Sequence, residues 1–409
     1  MNSSDAAKIV FFASGTHFMV HVYENSFSGI LRDLQKEWGS DYSALGNLGL
    51  PLFFFFGLMA IPGGWLSDRY GSKKILLACL FGAAGASLAA SMTREFFGFH
   101  PMIVLSVLLG CLGLFVGLYH PAGLSFISRG VEKRGPAMGI HGIFGNVGLA
   151  LAPFLASGLA YGFGWRAAFL VLALPAAVLG VIFWMTHFNP QDGTGKGSGA
   201  LRFGDLIPPP GGPHRFPPIL ILYTISALSG LTYRLLLVYL PSYFRETLGG
   251  SAFFSMDPMV FGSLVTSGIL LVGAVGQWFG GQFIEKGNPE RLYAIAFLGS
   301  APLLWIGGAL NGMMGVLVLC FFSALYFSLQ PMKNVLLAHH APKSAQGLTY
   351  GFIFFLEFGI GSFGSSIGGM MADRWGLGSI FHVTAILILG MAGLAALMIP
   401  IVAPQEETS

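Results

Sequence analysis

The chain has 409 residues, of which 54% are hydrophobic and only 10% charged, with a net charge of +3. Water-soluble chains carry about a quarter charged residues, so a soluble enzyme of this length is excluded, and cations this few and scattered exclude nucleic acid as a partner. Twelve membrane helices of about 24 residues would use roughly 290 positions and leave about 120 for loops and tails.

In chain order, Met1 to Ala7 is polar and runs straight into a long span, so no cleaved signal peptide is expected. Apolar runs predict spans over 8–31, 43–65, 73–92, 100–128, 137–160 and 165–187, then 217–244, 259–284, 291–310, 313–340, 345–371 and 377–401. The break between the sets, 189–216, is rich in glycine and contains Pro208-Pro209-Pro210, the composition of a linker. The expected fold is an all-α integral membrane protein: twelve transmembrane helices in two pseudo-symmetric six-helix bundles, 1–188 and 217–409, joined by that linker. With both termini cytoplasmic, thirteen cations fall on inside segments and six on outside loops, which satisfies the positive-inside rule. Cys79, Cys111 and Cys320 lie singly in apolar runs and read as packing. The 59 glycines sit mostly inside the spans, where small residues let helix backbones approach closely.

The halves echo each other at a shift of about 210 residues: His120-Pro121 against Gln330-Pro331, Gly158 against Gly369, Gly39 against Gly249. A parallel repeat in lipid is the pattern of a two-bundle transporter with its site between the halves. Between spans two and three runs Gly64-Trp65-Leu66-Ser67-Asp68-Arg69-Tyr70-Gly71-Ser72-Lys73-Lys74, with a degenerate copy at Gly281 to Gly287 that includes Glu285. This loop resembles the signature of the major facilitator superfamily. Within it, Thr16-His17, Tyr119-His120-Pro121-Ala122, Gly142 to Gly148 with Ala152-Pro153, and the run from Gly347 to Asp373 resemble the fosmidomycin-resistance branch of exporters. The branch's Asn-Asp pair is replaced here by Val20 and His21.

That resemblance implies a major facilitator fold and proton-coupled export, an antiporter without cofactor, driven by the proton gradient from a bacterial inner membrane. It also implies that Gly64, Asp68, Arg69 and Glu285 brace the inner face in the outward-open state. Arg166, Asp373 and Arg374, in equivalent turns, are the expected outer gating contacts. A monomer with a small-molecule substrate and the bilayer as its other partner is expected.

Ionisable groups at the bilayer centre cost about 2.5–3.5 kcal/mol each, so those present face a cavity or a partner. His17, His21 and Glu24 fall on one helical face. Three readings stand: a substrate or proton site, a divalent-metal site, and plain helix contacts. The first is preferred, and no resident metal is expected. Arg234 follows Glu24 by 210 residues, so the repeat places the two at equal depth and predicts an ion pair across the cavity. Tyr326, Gln330 and Lys333 form a polar stripe in span ten, with Glu357 in span eleven as balancing charge or proton carrier. Tyr119, His120, His141, Asn146 and Tyr233 complete the candidate site. His339 and His340 read as surface residues. Cations on the second-half wall favour an organic anion or zwitterion as cargo. Import of a carboxylate or anionic metal chelate is the second reading. A transceptor or membrane enzyme is the third, and it lacks any nucleophile-base pair or phosphate loop.

Overall fold

The computed structural model describes residues 3–188, 218–249, 256–284, 287–340 and 346–402. The expected linker and Glu285 lie outside the described residues. The first half is built from α1 (Ser3–Gly29), α2 (Leu31–Trp38), α3 (Tyr42–Leu58), α4 (Ala60–Tyr70), α5 (Ser72–Ser91), α6 (Pro101–Gly117), α7 (Tyr119–Gly130), α8 (Arg134–Phe163) and α9 (Trp165–Met185). The second comprises α10 (Pro218–Leu248), α11 (Pro258–Phe283), α12 (Pro289–Ala309), α13 (Gly312–His340), α14 (Gln346–Phe354), α15 (Phe363–Trp375) and α16 (Gly378–Val402).

Among the described residues ten spans are long and apolar enough to cross a membrane, and the bent pair α3 and α4, which meet at 43°, makes an eleventh. The polar α1 is the twelfth pass. Helices α6 and α7 form one pass interrupted at Leu118, just before His120-Pro121; the proline ring at 121 cannot donate to the helical ladder. Several passes begin where a side chain satisfies orphan backbone N–H groups. Asp41 accepts from the Ala44 amide at 2.7 Å, Asp257 from Met259 at 2.8 Å, and Asn288 from Arg291 at 2.8 Å.

Within the first half α1 lies along α8, and the two approach closely: a Cβ on Gly148 would lie 2.4 Å from the Phe18 carbonyl oxygen. Contacts between halves run mainly through α8 against α11 and α3 against α15, an arrangement with two-fold character. Between α14 and α15 the helix widens into a π turn, Phe355–Gly359, and tightens into a 3₁₀ turn, Ile360–Ser362. Two glycines accommodate the π turn. A Cβ on Gly57 of α3 would stand 2.0 Å from the Gly359 nitrogen, and one on Gly230 of α10 would stand 1.9 Å from the Glu357 carbonyl oxygen.

Candidate functional site

A cavity of about 450 Å³ lies between the halves. Its first-half wall is built by α1, α7 and α8, which present His17, His21, His120, His141 and Asn146. Its second-half wall presents Tyr233, Gln277, Tyr293, Tyr326, Gln330, Lys333, Asn334 and Glu357.

The spacing of His17, His21 and Glu24 stacks them along α1, and the three are joined end to end. Glu24 Oε2 lies 2.6 Å from His21 Nδ1, and His21 Nε2 lies 3.0 Å from His17 Nε2. His17 Nδ1 donates to the His141 carbonyl at 2.8 Å. Gly145 makes the room for this: a Cβ there would fall 2.2 Å from His17 Cε1. The His17 and His141 rings stack with centroids 4.1 Å apart. His120 is 7% exposed, and its Nε2 is buried with no hydrogen-bond partner among the described residues.

Glu24 and Arg234 form the pair expected from the repeat, with Nη2 donating to Oε1 at 2.8 Å. Yet neither residue lines the cavity. Both side chains are sealed behind it, 1% and 2% exposed, and the guanidinium lies 3.7 Å above the Phe53 ring centre. Phe53 and the packing of α1 against α10 take up the space that an open pair would need. Tyr119 is likewise fully buried and donates to the Ala13 carbonyl at 2.6 Å, so it supports α1 without facing the cavity.

On the opposite wall Lys333 donates to Glu357 Oε1, and both residues face the cavity. Asn146 donates to Gln277 Oε1 across the halves, and Gln277 Nε2 donates to Gln330 Oε1 at 2.8 Å. The hydroxyls of Tyr326 and Thr232 are 2.8 Å apart. Gln277, Tyr293 and Asn334 were not singled out from the sequence. Gln277 carries the same signal as Gln330, an amide inside an apolar run, but it falls in no matched motif or repeat position. His340 is no simple surface residue, since its Nε2 lies 3.1 Å from Glu290 Oε1, whose side chain is 3% exposed.

The gating candidates separate into two sets. On the face that the charge rule assigns to the outside, Asp373 accepts from the Tyr42 and Ser43 amides at 3.0 and 2.7 Å, placing its charge at the positive start of α3. Arg32 meets Asp257 at 2.8 Å, also across the halves. Arg166 instead pairs with Glu37 at 2.7 Å within the first half, and its guanidinium holds the Glu37 carboxyl below the usual carboxylate range. Arg374 is exposed. On the other face Asp68 pairs with Arg129 inside the first half, and Arg69 lies 5.3 Å over the Trp65 ring. The close approach there is at Gly63, whose added Cβ would sit 3.2 Å from the Leu118 Cα, rather than at Gly64. Cross-half polar contacts therefore close the first face, and the cavity extends toward the exposed Gln330 and Asn334.

The sequence profile of the Major Facilitator Superfamily matches residues 13–365. The chain belongs to that superfamily. Its curated relatives include a probable sulfoacetate transporter of Cupriavidus necator, 26% identical over 94% of this chain and 91% of that protein. The 4-hydroxybenzoate transporter of Pseudomonas aeruginosa is 26% identical over 90% and 86%. The gallate transporter of Pseudomonas putida is 25% identical over 68% and 66%. Among solved structures, a bacterial homolog of the human lysosomal transporter Spinster, inward-facing and occupied, superposes with a TM-score of 0.79 at 14% identity over 97% of both chains. The inward-open xylose transporter XylE of E. coli gives 0.75 at 16% identity over 97% and 96%. This facilitator is thus a membrane transporter and not an enzyme.

Proposed function

We propose that this facilitator carries a small organic anion, a carboxylate or sulfonate, together with a proton and in the same direction, by alternating access between the halves 1–188 and 217–409. The observation that carries this is the Lys333 and Glu357 pair on the cavity wall. An entering anion competes with Glu357 for the ammonium. A carboxylate left without its cation in a largely buried site takes up a proton, because an isolated buried charge is expensive. Anion and proton then load together, and the net charge of the site is the same empty and filled. The amides of Asn146, Gln277 and Gln330 supply further hydrogen bonds, and Phe354 and Phe358 supply an apolar wall for the rest of the cargo. The names of the three anion-transporting relatives support this cargo class.

Export in exchange for protons, the direction implied by the branch resemblance, requires proton and anion to alternate at the site. With a gradient directed inward, loading together gives import instead. Proteoliposomes given gallate, 4-hydroxybenzoate or sulfoacetate test both. An imposed inward proton gradient should raise uptake of at least one anion, and Lys333→Gln should abolish it. Uptake unchanged by Lys333→Gln, or anion driven out by inward proton flow, would overturn the proposal.

A further inference from the structure

The first-half wall holds a histidine cluster for which anion and proton movement at Lys333 has no use. One ring nitrogen from each of His17, His21 and His120 lies within 4.8 Å of the other two, and all three side chains are buried. They come from α1 and from the start of α7, which packs against α1.

The hydrogen bonds fix which nitrogens are available. His17 Nδ1 faces a carbonyl and so carries a hydrogen, and His21 Nδ1 faces the Glu24 carboxylate and carries one too. In neutral rings the Nε2 atoms are then both lone pairs, yet they point at each other across 3.0 Å. His120 adds a third ring nitrogen within 4.8 Å of these, and among the described residues its Nε2 has no hydrogen-bond partner. Lone pairs converge in this way when a cation belongs between them. One shared proton would relieve the contact of His17 with His21 but would leave His120 Nε2 unsatisfied.

A metal ion satisfies all three. Ligand nitrogens about 2.0–2.1 Å from a tetrahedral ion stand roughly 3.4 Å apart, close to the spacing of the α1 pair. The outer partners also fit. Ligating imidazoles donate their other N–H to a carboxylate or a backbone carbonyl, which is what His21 and His17 do. Arg234 in turn holds the Glu24 carboxylate in place.

We infer that His17, His21 and His120 bind a divalent transition-metal ion of the zinc type. Its fourth position opens into the cavity, where water or an anionic group of the cargo completes the tetrahedron. This site is independent of the Lys333 reading, and either can fail alone.

Cobalt(II) is the probe, because its visible spectrum reports geometry. The full-length protein, purified in nanodiscs with any affinity tag removed, is titrated with cobalt(II) and then with zinc(II). The expected result is about one equivalent bound per chain with the intense absorption of tetrahedral cobalt, displaced by zinc. His120→Phe keeps an aromatic ring stacked against Phe354 and removes an Nε2 that has no hydrogen-bond partner among the described residues, and an unchanged thermal melt checks that the variant folds. It should weaken binding by at least about tenfold, whereas His339→Gln, at an exposed position, should not. Identical titrations for wild type and His120→Phe, or only the faint spectrum of octahedral cobalt in the wild type, would overturn the inference.

Discussion

Replacing Arg234 with methionine removes the guanidinium that lies 2.8 Å from Glu24 and leaves a carboxylate whose side chain is 1% exposed. Breaking a buried pair from one side costs about 3–5 kcal/mol, because the survivor is an uncompensated buried charge. Glu24→Leu alone leaves both terminal nitrogens of Arg234 without a hydrogen-bond partner among the described residues, since Nη1 already has none there, and falls in the same range. The two single costs would sum to about 6–10 kcal/mol. Removing both charges together deletes the desolvation penalty along with the attraction and leaves mainly an orphaned His21 Nδ1, at about 1–3 kcal/mol. The coupling between the two positions should therefore be at least about 3 kcal/mol, far outside the roughly 0.5 kcal/mol scatter of independent sites. Equilibrium unfolding of the four proteins in mixed micelles, followed by tryptophan fluorescence, measures it. A double variant as unstable as the sum of the singles would refute the reasoning and show that each residue is held by other partners.

Three further outcomes are expected. Gly145→Ala should displace the His17 ring, because the added Cβ would lie 2.2 Å from Cε1; cobalt(II) binding should weaken while the unfolding midpoint changes little, and a cobalt titration beside a thermal melt would separate the two. Gly230→Ala has only backbone to push against, 1.9 Å away at the Glu357 carbonyl, so its cost should reach the overpacking range of about 1–3 kcal/mol, measured by the same unfolding titration. At the closed face, Glu37 is depressed in the folded protein by Arg166. Its contribution is present above the usual carboxylate pKa of about 4.3 and is lost as pH falls through the lower folded value. Wild type and Glu37→Gln should thus differ in thermal stability near neutrality and converge in acid; a constant gap would contradict this.

Much of this architecture was legible in the chain because lipid punishes unpaired polarity. Long apolar runs had to be helices, and the 210-residue echo alone places Glu24 opposite Arg234. Spacing also put His17 and His21 on one face. What the sequence hid was depth. Periodicity cannot tell a cavity-lining Glu24 from one sealed under Phe53, nor show that Tyr119 turns toward Ala13. It also could not say that Arg166 reaches Glu37 in its own half while Asp373 reaches α3 in the other, since loop side chains obey no helical period. Gln277 lies in neither a matched motif, as Asn146 does, nor a repeat position, as Gln330 does, although its links to Asn146 and Gln330 join the two walls.

The widened turn at Phe355–Gly359 sits midway along one continuous segment that carries Glu357 into the cavity and Asp373 to the closed face. Recasting that turn as ordinary α-helix changes the ladder by one residue, which twists everything beyond it by about 100° relative to what precedes it. A twist of that size cannot leave both ends where they are. If Glu357 lets go of Lys333 and the turn rewinds, the torque is felt at Asp373, where three donors from Tyr42 and Ser43 converge. In that event the segment would act as a torsion bar between cargo and lock.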